Sequence, residues 1–243
     1  MFKKASEYRN DKISILVYGH PGSGKTTLAT TIDGEVLTID AEGGHQPLTE
    51  SNVMLFKLSE NQDGTFVERK DRFNRFNRFI KALLNGEVDS KLNWIVIDSI
   101  TEVAQNLIYS LKIEDKKRVA EGGKENKFWV WGEYDLKMTE ILKDLRDIPK
   151  INVLGLSLVT EEKNEDGSKD ITLDVNGKVS QRIPALFDEV YYLHQKEDGS
   201  RVLVTQNFKN IRCKSRSGKV EKFEEPNIQK ISDKIKGITP KQA

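Results

Sequence analysis

Ile13-Ser14-Ile15-Leu16-Val17-Tyr18, then Gly19-His20-Pro21-Gly22-Ser23-Gly24-Lys25-Thr26, then Thr27-Leu28-Ala29-Thr30-Thr31-Ile32 read in turn as a strand, a glycine loop and a helix start. The first run is β-branched and apolar, as a buried strand requires. The loop keeps the spacing G-x-x-x-x-G-K-T in the strand–loop–helix setting that gives this spacing its meaning. Glycines let the backbone curl until successive N–H groups point at anionic oxygens. A helix beginning near Lys25 adds the positive end of its dipole. Lys25 reaches the outer phosphates of a nucleotide, and the Thr26 hydroxyl can ligate Mg²⁺. The candidate nucleotide-binding residues are therefore Gly19, His20, Pro21, Gly22, Ser23, Gly24, Lys25, Thr26 and Thr27, with His20 as filler in a variable position. The motif does not choose among nucleotides.

A second acid belongs to the same chemistry. Asn93-Trp94-Ile95-Val96-Ile97-Asp98-Ser99 is an apolar strand ending in a carboxylate, the pattern of a parallel strand covered on both faces. Asp98 there can hold the Mg²⁺ water shell beside Thr26. The next residue is Ser99, where AAA+ ATPases usually carry a catalytic glutamate, so the base must come from elsewhere. Val36-Leu37-Thr38-Ile39-Asp40-Ala41-Glu42-Gly43-Gly44 offers one. If that strand lies beside the loop, Glu42 projects toward the terminal phosphate and can orient the attacking water. Glu102 is the competing acid and reads as lying inside the next helix.

The order of glycine loop, I-D-A-E segment and W-I-V-I-D-S strand resembles the RecA/RadA recombinase core. W-G-E-Y at 131–134 and P-A-L-F-D-E-V at 184–190 are similar to small phage-encoded ATPases of that type. The resemblance implies an α/β, RecA-like P-loop NTPase: a mostly parallel twisted sheet flanked by helices, with a C-terminal β-hairpin. It implies ATP and Mg²⁺ as cofactors and Glu42 as the water-activating acid. It further implies single-stranded DNA as partner in phage recombination or replication, self-association into an oligomer or filament, and a phage single-strand-binding protein as an associate. A nucleotide-switched assembly module without DNA binding is the alternative.

Composition bounds the partners. Lys+Arg is 39 and Asp+Glu is 38 in 243 residues, so the formal net charge is +1 and nucleic acid must be held by a local patch. A lone Cys213 excludes an internal disulfide framework, and His20, His45 and His194 show no zinc spacing. Apolar runs are too short to span a membrane, and the first residues have no signal-peptide core, so a cytoplasmic protein, in the host cytoplasm if phage-encoded, is expected.

Residues 68–84 place Phe73, Phe76, Phe79, Ile80, Leu83 and Leu84 at helical spacing opposite a basic face of Arg69, Arg72, Arg75, Arg78 and Lys81. A helix is predicted at 101–112, a polar loop at 113–127, and a helix at 131–148 with Trp131 in the core. The loop carries Lys116, Lys117, Arg118, Lys124 and Lys127 beside Phe128 and Trp129. Cations beside aromatics suit single-stranded DNA, and RecA-like proteins have a DNA-touching loop at this place. A surface loop anchored by its aromatics fits equally. A strand at 152–159 ends near Ser157 and Thr160, where a side chain sensing the terminal phosphate would sit. Residues 161–174 read as an acidic loop or hairpin turning at Asp166-Gly167, and 187–206 as a hairpin. In the basic stretch 205–222, Lys214 and Arg216 resemble cations that complete a neighbour's nucleotide site in RecA-like filaments; a solvated strand end is the other reading. One domain over 1–243 is expected, with a core of about 11–216 and a tail over 223–243, of which 226–243 reads as a weak helix and a loose Lys-rich end.

Overall fold

The computed structural model describes residues 12–88, 91–163, 167 and 169–238. The leader segment 1–11, Asp166 of the predicted turn and the last residues, 239–243, lie outside them. β1 (Ser14–Tyr18) feeds the glycine loop, β2 (Val36–Asp40) and β3 (Met54–Lys57) follow, and α1 (Arg69–Leu84) leads to β4 (Trp94–Asp98). Two long helices, α2 (Ile100–Ala120) and α3 (Lys127–Asp147), precede β5 (Asn152–Ser157). The β6 (Val159–Lys163) and β7 (Lys169–Leu173) hairpin, α4 (Val179–Leu186), β8 (Glu189–Gln195) and β9 (Arg201–Val204) come next. β10 (Lys214–Ser215), β11 (Phe223–Glu224) and α5 (Ile228–Lys236) complete the described chain.

The main sheet runs β11-β9-β8-β1-β5-β4-β2-β3, with β10 also paired to β8. From β8 to β3 all neighbours are parallel, while β9, β10 and β11 join antiparallel. Parallel strands need crossovers, so helices cover both faces and the strands read as continuous apolar runs. Leu16, Ile39, Ile95 and Ile97 face Phe76, Ile80, Leu107, Met138, Ile141 and Ile183 from α1 to α4. Ile15, Val17, Val96, Leu154 and Leu156 face Leu28, Ala29, Tyr191, Leu203 and, from α5, Ile228 and Ile231. The fold is α/β, a mostly parallel sheet flanked by helices, with the β8–β9 hairpin near its C-terminal side.

Four features differ from the sequence reading. α2 continues to Ala120, so Lys116, Lys117 and Arg118 sit on helix rather than loop, and only residues 121–126 connect it to α3. The extension is physical: residues 113–120 are mostly helix formers, and Arg118 Nη2 pairs with Asp115 Oδ1 at 2.6 Å one turn back. α3 begins at Lys127 because Asn126 caps it through Trp129 N, 3.0 Å away. Trp131 is not core: it is 43% exposed, and Tyr134, fully buried, takes the inward position. Residues after 222 form the helix α5, docked on the sheet where a weak helix is expected, and the edge strand β11, which is not expected.

Candidate functional site

The loop after β1 leaves the sheet between β5 and β8. Gly19 N donates to Ser157 O at 3.2 Å, prolonging the ladder by one residue before the chain turns. Gly22 and Gly24 adopt φ of +76° and +93°, a region that L side chains rarely enter. The helix expected from Thr27 is only a 3-10 turn over Thr26–Thr31. Its sequence, T-T-L-A-T-T, is dominated by β-branched residues that resist an α-helix, so the loop's own amides, rather than a helix dipole, must hold an anion. Ser23 is buried, and its hydroxyl has no hydrogen-bond partner among the described residues. Lys25 is also buried; its Nζ donates to Gly19 O and His20 O, both at 2.9 Å. Burial lowers the pKa of that lysine, while Glu42 and Asp98 pull it back up. His20 and Thr27 are exposed, and His20 meets the Tyr192 ring edge-on at 6.4 Å.

Asp98 closes the site from β4. Thr26 Oγ1 donates to Asp98 Oδ2 at 2.6 Å. Burial, then Glu42 and Asp40, push the Asp98 carboxyl up to about 6, against the bond from Thr26. A hydroxyl and a carboxylate converging in a pocket of surplus negative charge are hard oxygen donors of the kind Mg²⁺ takes.

The strand carrying Glu42 is not beside the loop strand: β5 and β4 separate β2 from β1. Glu42 nevertheless reaches the site, because β2 and β4 end flush, Asp40 opposite Asp98, and Ala41 N bonds Asp98 O at 2.7 Å. Buried Asp40 then fixes the turn, taking Gly43 N at 2.6 Å and His45 Nδ1 at 2.7 Å. Glu42 itself is exposed, and its Oε1 accepts a hydrogen bond from Ser99 Oγ. Ser99 follows a cis peptide and is wholly buried; its Oγ also accepts from Glu102 N, capping α2. The serine in the place of the usual glutamate thus holds the glutamate supplied by β2, a role that nothing local in the sequence revealed. Glu102 points to Arg69, 3.4 Å away.

Other candidates fall outside this cluster. Ser157 is fully buried with its hydroxyl against Thr101 Oγ1 at 3.1 Å, and Thr160 stands exposed on β6. Lys116, Lys117, Lys124 and Lys127 are exposed. Arg118 is engaged by Asp115 and by Lys124 O, with its guanidinium 5.7 Å from the ring of half-buried Trp129. Phe128 is 93% exposed, and Trp131 lines a cavity of about 560 Å³ between α2 and α3. Lys214 and Arg216 lie where β8 begins, opposite the end of β1 that bears the loop. Lys214 donates to Pro184 O and Phe187 O at 2.9 and 2.6 Å. Arg216 binds Asp188 and Ala185 O. Arg201, unremarked in the sequence, lies against the loop: a Cβ on Gly24 would fall 2.6 Å from its Nη1.

Among the described residues no helix is long and apolar enough to cross a membrane. No curated protein sequence matches the chain. The RadB recombinase crystal structure is similar, with 19% identity over 81% of this chain and 82% of that one, at a TM-score of 0.43. A prototypical ATPase from the type III secretion system of pathogenic bacteria matches with 15% identity over 85% of this chain and 58% of its own, at a TM-score of 0.44. A profile described as AAA domain matches residues 11–217, the span that holds the glycine loop, Glu42 and Asp98, and the chain belongs to that family of P-loop proteins.

Proposed function

We propose that this protein is a Mg²⁺-dependent ATPase of RecA/RadA-like type that assembles into oligomers and binds single-stranded DNA in phage recombination or replication. The observation that carries the reading is the convergence of Lys25, Thr26, Asp98 and Glu42 from three strand ends. Lys25 and the loop amides hold the phosphates. Thr26 and Asp98 would hold Mg²⁺, which when bound supplies neutralisation of phosphate charge. Glu42 accepts the proton of a water whose oxygen attacks the terminal phosphorus; the bond from that phosphorus to the bridging oxygen breaks, giving ADP and phosphate. Ser99 keeps the acid in place through its hydroxyl.

DNA binding is supported by Lys116, Lys117, Lys124 and Lys127 beside exposed Phe128 and Trp131, phosphate-seeking charge next to stacking faces. The test is electron microscopy and filter binding with single-stranded DNA, with and without a non-hydrolysable ATP analogue, across a salt series. Nucleotide-dependent assembly on DNA, weakening steeply with salt, supports the reading. Assembly with nucleotide but no affinity for any oligonucleotide selects a switched assembly module instead.

A further inference from the structure

The β8–β9 hairpin overshoots the strand that delivers the glycine loop. Tyr192 of β8 pairs with Tyr18, the last residue of β1, and the hairpin ladder continues to Gln195 opposite Arg201. Three residues of strand carry it about 10 Å past the end of β1, alongside the loop. The loop is pressed against it at both ends. A Cβ on Gly19 would come 2.8 Å from Leu193 O, and one on Gly24 would meet the Arg201 guanidinium at 2.6 to 3.0 Å. The backbone of the wall thus demands glycine at 19, while at 24 the φ of +93° demands it and the Arg201 tip merely lies alongside.

Strand alternation fixes the side on which Arg201 stands. Leu203 packs with Leu28 and Ala29 of the turn after the loop, while Val204 faces the opposite core. Arg201, two residues before Leu203, projects on the side of that turn. Its guanidinium, on an exposed residue, has no hydrogen bond or ion pair among the described residues. The three carboxylates of the site, Asp40, Glu42 and Asp98, cluster around Lys25 and Thr26, and none of them pairs with Arg201. A guanidinium with no ion-pair partner among the described residues therefore packs beside Gly24 of the glycine loop. That arrangement is favourable when an anion lies within reach of the guanidinium and the loop.

We propose that Arg201 binds the polyphosphate of the nucleotide, a cation delivered in cis by the hairpin and additional to Lys25. The proposal rests on the reading of residues 19–26 as the nucleotide site. Guanidinium recognises phosphate oxygens through paired N–H groups and stays charged at any working pH.

The test compares wild type, Arg201→Gln, Arg201→Lys and Lys25→Ala by titration with Mg²⁺ and AMP-PNP or ADP at several salt concentrations. Arg201→Gln should weaken both nucleotides about tenfold and flatten the salt dependence. Arg201→Lys should recover most of the affinity, and the thermal midpoints of both should match wild type. Wild-type affinity in Arg201→Gln overturns the proposal. So does an equal loss in the Gln and Lys variants with an unchanged salt dependence, which marks a purely structural prop. A wild type that binds neither nucleotide overturns the underlying site reading along with it, whereas binding that only Lys25→Ala abolishes overturns Arg201 alone.

Discussion

Glu42→Gln separates the chemistry of the site from its architecture. The amide oxygen of glutamine can still accept from Ser99 Oγ, so the turn fixed by Asp40 and the cap of α2 both persist. What disappears is a carboxylate able to take a proton. A positioned general base contributes roughly 10²- to 10⁴-fold, or about 3 to 5 kcal/mol of barrier. Nucleotide affinity should hold or tighten, since Glu42 is among the charges that raise Asp98 and the variant removes a negative charge near the phosphates. Glu102→Gln is the matched control. That acid is half-buried and faces Arg69 at 3.4 Å, a pair worth about 0.2–1 kcal/mol, so stability should dip slightly and turnover should stay near wild type. Single-turnover phosphate release with saturating Mg²⁺ and ATP reads both. A collapse in Glu102→Gln with normal turnover in Glu42→Gln would refute the placement of the water and, with it, the RecA-like assignment.

Three further outcomes follow from the packing. Lys12, buried with its Nζ on Leu145 O, Arg146 O and Ile148 O, has its pKa lowered by burial to about 8 from 10.5. Between those values the unfolded chain binds more protons, so stability rises with pH across the window, by at most about 1.4 kcal/mol per unit; urea midpoints at pH 7.5 and 9.5 should show a gain that Lys12→Met lacks, and an equal response in both would exclude it. Gly155→Ala should cost about 1–3 kcal/mol, because the added Cβ would stand 2.7 Å from Ile100 Cδ1 and 3.0 Å from Phe187 Cζ between two packed layers; thermal unfolding checks it, and an unchanged midpoint contradicts it. Phe128→Ala and Trp131→Ala, both exposed, should leave stability intact yet weaken single-stranded DNA binding by about 1–3 kcal/mol for each stacked base lost; fluorescence anisotropy with a short oligonucleotide would show unaltered affinity if this face does not meet DNA.

How legible each part was in the sequence depends on how local its cause is. The glycine loop and Asp98 were readable because the chemistry dictates residue type at a fixed spacing, and both lie where a buried strand ends. The end of α2 was not: residues 113–120 are polar, which suggests a loop, but polar side chains such as Lys116 and Lys117 are good helix formers, and the stop comes only at Gly122, with φ of +95°. Trp131 was misplaced because aromatic character was weighed above period. The stripe Val130, Tyr134, Met138, Ile141 and Leu145 marks the buried face, and Trp131 falls off it. Arg201 was invisible for a different reason, since its neighbour Gly24 lies far away in sequence and only strand pairing joins them.

Ser99 shows why a departure from a motif can carry more information than a match. A serine after Asp98 removes a carboxylate from β4, which by itself predicts a weaker site. Its hydroxyl is wholly buried, donating to Glu42 and accepting from the first turn of α2, so both of its hydrogen-bonding roles are filled. A glutamate at 99 would bring a second long carboxylate into that buried space beside Glu42 and Asp98, where like charges already raise the Asp98 pKa. With Glu42 arriving from β2, a small residue able to donate a hydrogen bond suits the position after Asp98. Ser99→Ala therefore tests the coupling directly. It leaves every charge in place and should slow turnover through a loosened Glu42, whereas Ser99→Thr, which keeps the hydroxyl, should restore part of the rate if its extra methyl is accommodated.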